Sequence, residues 1–199
     1  MAKAIFNGKL LNVNEVLSSI SLFFVDGNIP DKDIPYAEKL DRSKLDFSVA
    51  SLRYVDEYLK IVRKKKLNDR QKALICLRCG TYCGEVIRKN TFDLEWITYE
   101  QEILLENYMG KFKVKKDPIY SYFLYGKHAK SLSQPIQKVI KFFENGEGDS
   151  LEFFAKMVIF DNNNAIKFLL SFLKNPFPKK IPVVEVKSPE KNGIRPQRL

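Results

Sequence analysis

One histidine and one tryptophan occur in 199 residues, and all three cysteines fall between positions 76 and 83. A single histidine, His128, leaves a cysteine or serine nucleophile with only one possible imidazole base. An odd, clustered set of cysteines cannot staple a secreted framework and points to a reducing compartment. No apolar run reaches the roughly 18 residues of a membrane span. The apolar stretch at 16–25 is interrupted by Ser18, Ser19 and Ser21, is preceded by Glu15 and lacks a small-residue cleavage site. It reads as a buried strand or helix rather than a signal peptide, and a cytoplasmic protein is expected. Nucleophile-elbow, zinc-protease, P-loop and dinucleotide signatures are missing. Asp31/Asp33 and Glu100/Glu102 sit in polar, exposed-looking stretches, and nothing marks either pair as an acid and base.

What the chain does have is apolar mass and positive charge. Hydrophobic residues make up 45%, including 15 phenylalanines, enough for a sizeable core. Net charge is +10, and positions 1–47 hold 6 basic against 7 acidic residues, so the surplus lies beyond them. Such a balance suits an acidic partner, whether protein, nucleic acid or lipid, although a lysine-rich solvated surface has the same composition.

The most informative stretch is Ala73-Leu-Ile-Cys-Leu-Arg-Cys-Gly-Thr-Tyr-Cys-Gly-Glu-Val-Ile-Arg-Lys-Asn90. At 100° per residue Ala73, Cys76, Gly80, Cys83, Gly84 and Ile87 form one stripe of mostly small residues. Each glycine inside a helix costs about 1 kcal/mol relative to alanine, which close approach of another backbone would offset. Arg78, Thr81, Glu85, Arg88 and Lys89 form a narrow polar strip on the same helix. Cys76, Cys79 and Cys83 share a face and read as small core residues; a metal bridging them is the alternative, short of a fourth ligand. No cofactor and no metal are expected.

A helix from about Ser48 carries Leu52, Val55, Leu59 and Val62 on one face and closes at Arg63-Lys-Lys-Lys66. Asn68 or Asp69 caps the glycine-bearing helix, whose small face is expected to meet the Leu52/Val55/Leu59 face as a tight antiparallel pair. After Asn90 the period changes. Leu94, Trp96 and Thr98 alternate, and 103–108, 112–114 and 119–125 are β-branched and aromatic, predicting three or four antiparallel strands. Ser133 and Pro135 open a helix, Asn145-Gly-Glu-Gly148 breaks it, and Asp149 or Ser150 starts the next. Asn162 to Asn164 reads as a link into a third helix with Ile166, Leu169, Leu170 and Leu173. From Pro176 five prolines occur in 24 residues, giving an extended or disordered tail apart from a short strand at 181–186. The predicted fold class is α+β: a helix pair on a small, mainly antiparallel sheet, with C-terminal helices. The predicted divisions are an N-terminal lead-in at 1–44, the α+β domain at 45–174 and a basic, proline-rich tail at 175–199.

Ser51-Leu-Arg-Tyr-Val-Asp-Glu-Tyr-Leu59, then Gly80-Thr-Tyr-Cys-Gly-Glu-Val-Ile-Arg-Lys-Asn90, then Trp96 resembles a family of small, mostly uncharacterised bacterial domains. The resemblance extends over about residues 45–160, with the stretch from Pro135 to Ser150 similar to the family's closing helices. Members often carry Gly-Gly before the tryptophan, where this chain has Phe92-Asp-Leu-Glu95. The resemblance implies an α/β domain with no established catalytic residues, found among toxin-neutralising or secretion-associated proteins.

Three functions follow as expectations. The first is a non-enzymatic protein that neutralises or escorts an acidic protein partner, as an immunity protein does for a secreted toxin. The second is nucleic-acid binding by a hairpin whose Lys111, Lys113 and Lys115 meet phosphate while Tyr120 and Tyr122 stack on bases. The third is an effector enzyme with its site near Glu85, Arg88 and Trp96. The partner-binding candidates are thus Arg78, Glu85, Arg88, Lys89, Trp96, Lys111, Lys113, Lys115, Tyr120 and Tyr122.

Overall fold

The computed structural model describes residues 3–6, 9–27, 33–98 and 121–174. Lys111, Lys113, Lys115, Tyr120, the strands expected at 103–108 and 112–114, and the tail from 175 lie outside the described residues. The fold is α+β and mostly helical. A hairpin of β1 (Lys3–Phe6) and β2 (Lys9–Asn12) leads into α1 (Val13–Asp26). Short 3-10 turns precede α2 (Leu52–Val62), which is followed by α3 (Asp69–Lys89). β3 (Leu94–Thr98), β4 (Tyr122–Gly126) and β5 (Ser131–Ser133) form an antiparallel sheet in the order β3-β4-β5, with Trp96 opposite Leu124 and Leu124 opposite Ser133. Helices α4 (Pro135–Asn145) and α5 (Leu151–Lys174) complete the described residues.

Local chemistry explains where the helices begin. The Asn68 side chain accepts from the Gln71 amide while Gln71 accepts from the Asn68 amide, a reciprocal capping box that opens α3. Pro135 occupies the first turn of α4, where no amide is needed. Gly146, at φ +76°, ends α4 in a backbone conformation that side chains resist. The guanidinium of Arg63, at the end of α2, donates to the Phe143 and Glu144 carbonyls at 3.3 Å each, filling acceptors that α4 leaves open.

α3 lies at the centre. Residues 75, 76 and 79–87 are all buried, so Thr81 and Glu85 of the polar strip face the interior, while Arg78 and Arg88 are half-buried and Lys89 is exposed. Thr81 turns its hydroxyl back onto the Leu77 carbonyl of its own helix. The glycine seam is real, but its partner differs from the expected one. Leu52, Val55, Leu59 and Val62 do point into the core, yet a Cβ on Gly80 would fall 2.5 Å from the Ile136 Cα of α4. A Cβ on Gly84 would fall 2.1 Å from Cζ2 of Trp96. One glycine therefore admits a helix backbone and the other an indole ring. A further difference is α5, a single helix about 36 Å long. The asparagines at 162–164 lie inside it, because Asn162 is buried and hydrogen bonded both to the Val158 carbonyl (2.8 Å) and to the Ser131 hydroxyl (2.9 Å).

Gly84→Ala and Gly80→Ala should each destabilise the protein by about 1–3 kcal/mol, despite alanine's better helix propensity, because neither neighbour is a flexible side-chain tip. Gly148→Ala, whose Cβ would enter open space, should stay within about 0.5 kcal/mol. Urea unfolding of the three variants distinguishes these outcomes; an unchanged midpoint for Gly84→Ala would refute the seam.

Candidate functional site

Glu85 sits on α3 with 3% exposure and three donors around its carboxylate. Trp96 Nε1 of β3 donates to Oε1 at 2.7 Å, Arg88 donates to the same oxygen at 2.6 Å, and the Ser18 hydroxyl of α1 donates to Oε2 at 2.6 Å. Burying a carboxylate is tolerable only with such partners. Arg88 supplies the countercharge and also donates to the Leu94 carbonyl at 3.3 Å. Trp96 is 1% exposed, its ring occupying the space beside Gly84. Its backbone is held as well: Trp96 N–H donates to Asn14 Oδ1 at 2.7 Å, and Asn14 Nδ2 donates back to the Trp96 carbonyl at 3.4 Å. The α1 side chain thus acts as a one-residue strand surrogate beside β3.

Of the candidates named from sequence, Glu85, Arg88 and Trp96 converge, but inward. Arg78 is half-buried two turns earlier on α3. Lys89 is exposed with its ammonium 3.4 Å above the Phe47 ring, a cation–π contact outside the cluster. Tyr122 is half-buried and packed against the core. Sequence reasoning missed Asn14 and Ser18. The signal was present: Asn14, Ser18 and Ser21 recur at helical spacing beside the buried Val13, Leu17 and Phe24.

The other residues with chemical potential serve different ends. Burial pushes the Cys76 thiol up to about 12 and those of Cys79 and Cys83 higher still, so all three stay protonated and unreactive. Among the described residues no group of three or more histidine, cysteine, aspartate or glutamate side chains is arranged to hold a metal. His128 is exposed; its Nδ1 lies 2.5 Å from Asp93 Oδ2, and its amide donates to the same oxygen. No cysteine is available to that pair, since all three are enclosed in the core.

Asp56 is the second buried carboxylate, at 6% exposure on α2. It accepts from the Leu151 and Glu152 amides and from the Ser150 hydroxyl, at 2.9, 3.3 and 2.7 Å, and so caps α5 from a different helix. An open cleft of about 240 Å³ beside it is lined by Arg53, Glu57, Lys60, Phe142, Glu147 and Glu152. Burial pushes the Asp56 carboxyl above the ordinary range, and the hydrogen bonds only partly counter it.

Two outcomes test these assignments. Glu85→Ala orphans the indole N–H and the Arg88 charge and should cost about 3 kcal/mol. The emission of Trp96, the only tryptophan, should move to the red as water reaches it. Glu85→Gln, which keeps an acceptor, should lose less and leave the emission nearly native. For Asp56 the folded carboxyl holds its proton to higher pH than the unfolded one, which ionises near about 3.9. Its contribution is therefore fully present below that value and declines as pH rises through the folded pKa. Asp56→Asn, which cannot ionise, should accordingly show a deficit against wild type that narrows with rising pH. Unfolding free energies at stepped pH check this, and a widening deficit would refute it.

No protein-family model, curated protein or solved structure matches this chain, so its function must be read from its own residues.

Proposed function

We propose that this chain is a cytoplasmic, non-enzymatic binding protein that neutralises or escorts an acidic protein partner, in the manner of an immunity protein for a secreted bacterial toxin. The observation that carries the reading is the turn between α2 and α3. Residues 63–72 hold Arg63, Lys64, Lys65, Lys66, Arg70 and Lys72 against one acid, Asp69. All six cations are exposed, and none forms an ion pair among the described residues. The turn is held in place at both ends: Arg63 by the α4 carbonyls, and the start of α3 by its capping box. Unneutralised cations on a rigid edge steer an acidic surface to encounter and select against basic ones.

The toxin-immunity aspect rests on the resemblance of the Ser51–Leu59, Gly80–Asn90 and Trp96 pattern. The buried network at Glu85 fits a binding protein better than an effector enzyme, since a substrate would have no approach to that carboxylate. In the nucleic-acid alternative, Tyr122 is half-buried against the core, and the lysines lie outside the described residues.

Affinity purification from the native host should recover a stoichiometric acidic protein. Reversing Lys64, Lys65 and Lys66 to glutamate should slow its association about tenfold while leaving thermal stability near wild type. Mobility shift with generic duplex DNA and single-stranded RNA at about 50 mM salt decides the alternative. A shift that falls steeply with salt, with no protein partner recovered, would replace the acidic-protein reading by a nucleic-acid one.

A further inference from the structure

α5 presents Phe153, Met157 and Phe160 to solvent at 62, 43 and 61% exposure, with Asn164 exposed one turn further on. Steps of four, three and four residues are those of the seam between two coiled helices, Phe153 and Phe160 at one seam position and Met157 and Asn164 at the other. The stripe lies opposite the buried Leu151, Ala155, Val158 and Asn162, which hold α5 on the core. Phe92, at 78% exposure, adjoins one flank of it, because the neighbouring Thr91 hydroxyl donates to Asn163. Lys167, exposed at the next seam position, ends the stripe. A row of large apolar side chains on one exposed helix face marks a docking surface rather than scattered surface hydrophobics.

We propose that α5 pairs with α5 of a second copy of this chain, parallel and in register, to make a two-fold dimer. The charges flanking the stripe select this occupant and its direction. At 100° per residue Lys156 and Asp161 lie about 140° apart, one on each side of the stripe. A two-fold axis running along the pair brings opposite flanks together, so each Lys156 meets Asp161 of the other copy, five residues on. An antiparallel pair would instead set one Lys156 flank against the other. Asp161 is exposed and forms no ion pair among the described residues. Lys156 bonds Glu152 at 2.6 Å and has two further ammonium donors. Asn164 completes the match, since an asparagine at a seam position bonds its counterpart across a parallel pair and fixes the register. Positions 151–165 hold two acids and one base, so this face is free of the cationic surplus that would repel a second copy. Two heptads suffice because α5 is already folded onto the core, and pairing need not order it. None of the cations at the α2–α3 turn takes part, so the inference is independent of the proposed acidic partner.

The test uses the full chain. Its mass by light scattering should climb from 23.2 kDa toward twice that value between about 5 and 500 µM, the range of a small, weak interface. Phe160→Asp should hold the monomer mass throughout, with thermal unfolding near wild type. Asp161→Lys and Lys156→Glu should each weaken self-association about tenfold. Mixed together, these two variants should associate at least as tightly as wild type, because each brings the charge the other lacks. Mild oxidation of Asn164→Cys should join two copies by a disulfide; Cys76, Cys79 and Cys83 are buried with their thiols held protonated and do not compete. A monomeric mass at every concentration, as a different occupant of the stripe would give, would overturn the proposal. So would a dimer that Phe160→Asp leaves intact, or disulfides that form only between Phe153→Cys and Asn164→Cys copies, the mark of an antiparallel pair.

Discussion

The indole of Trp96 enters the core through the space that Gly84 leaves open on α3 and ends with its N–H on Glu85, the next residue along the same helix. Glu85 is also the acceptor for Ser18 of α1 and the partner of Arg88, while Asn14 of α1 brackets the Trp96 backbone. One buried carboxylate thus ties α1, α3 and β3 together. Its burial is tolerable because three donors meet it, and each donor comes from an element that the carboxylate in turn fixes. Apolar packing alone would let α1 slide along α3; the directional bonds choose one register.

The same logic recurs at smaller scale. The Tyr82 hydroxyl shares a hydrogen bond of 2.6 Å with Ser51 and accepts from the Phe47 amide at 3.2 Å. Its ring also packs against Phe24 and Phe47. The Tyr58 hydroxyl donates to the Pro35 carbonyl at 2.6 Å, and Asp56 caps α5 from across the fold. Ser51, Asp56 and Tyr58 are polar positions of the first sequence pattern, and Gly80, Tyr82, Gly84 and Glu85 belong to the second. Every one of them is spent on an internal contact. In this chain the pattern is therefore a packing code, and function must be sought on the outside.

On the outside, two surfaces of different character stand apart. The α2–α3 turn is cationic, and its cations form no ion pair among the described residues, while the outer face of α5 carries an apolar stripe of two phenylalanines and a methionine. The first suits electrostatic steering of an acidic protein, the second close apolar contact. No helix among the described residues is long and apolar enough to cross a membrane.

Much of the local structure was legible in the residues. The inward face of α2, the cap at Asn68, the proline opening α4 and the break at Gly146 follow from periodicity and backbone chemistry, which act over a few residues. The small face of α3 was legible too, as a surface awaiting close approach. What met that face was not: periodicity marks Gly80 and Gly84 as open, but cannot say that Ile136 and Trp96 fill them. Nor could it place Glu85, one residue of a polar strip along α3, inside the core between Ser18 and Trp96. Asn162 likewise reads as a helix breaker in isolation, where its cost is a few tenths of a kcal/mol, and stays helical because Ser131 bonds to it from 31 residues away. Sequence by itself determined which elements form and which faces are apolar, because those depend on neighbours along the chain. Tertiary structure alone decided which polar groups are buried, because that depends on donors brought from distant segments.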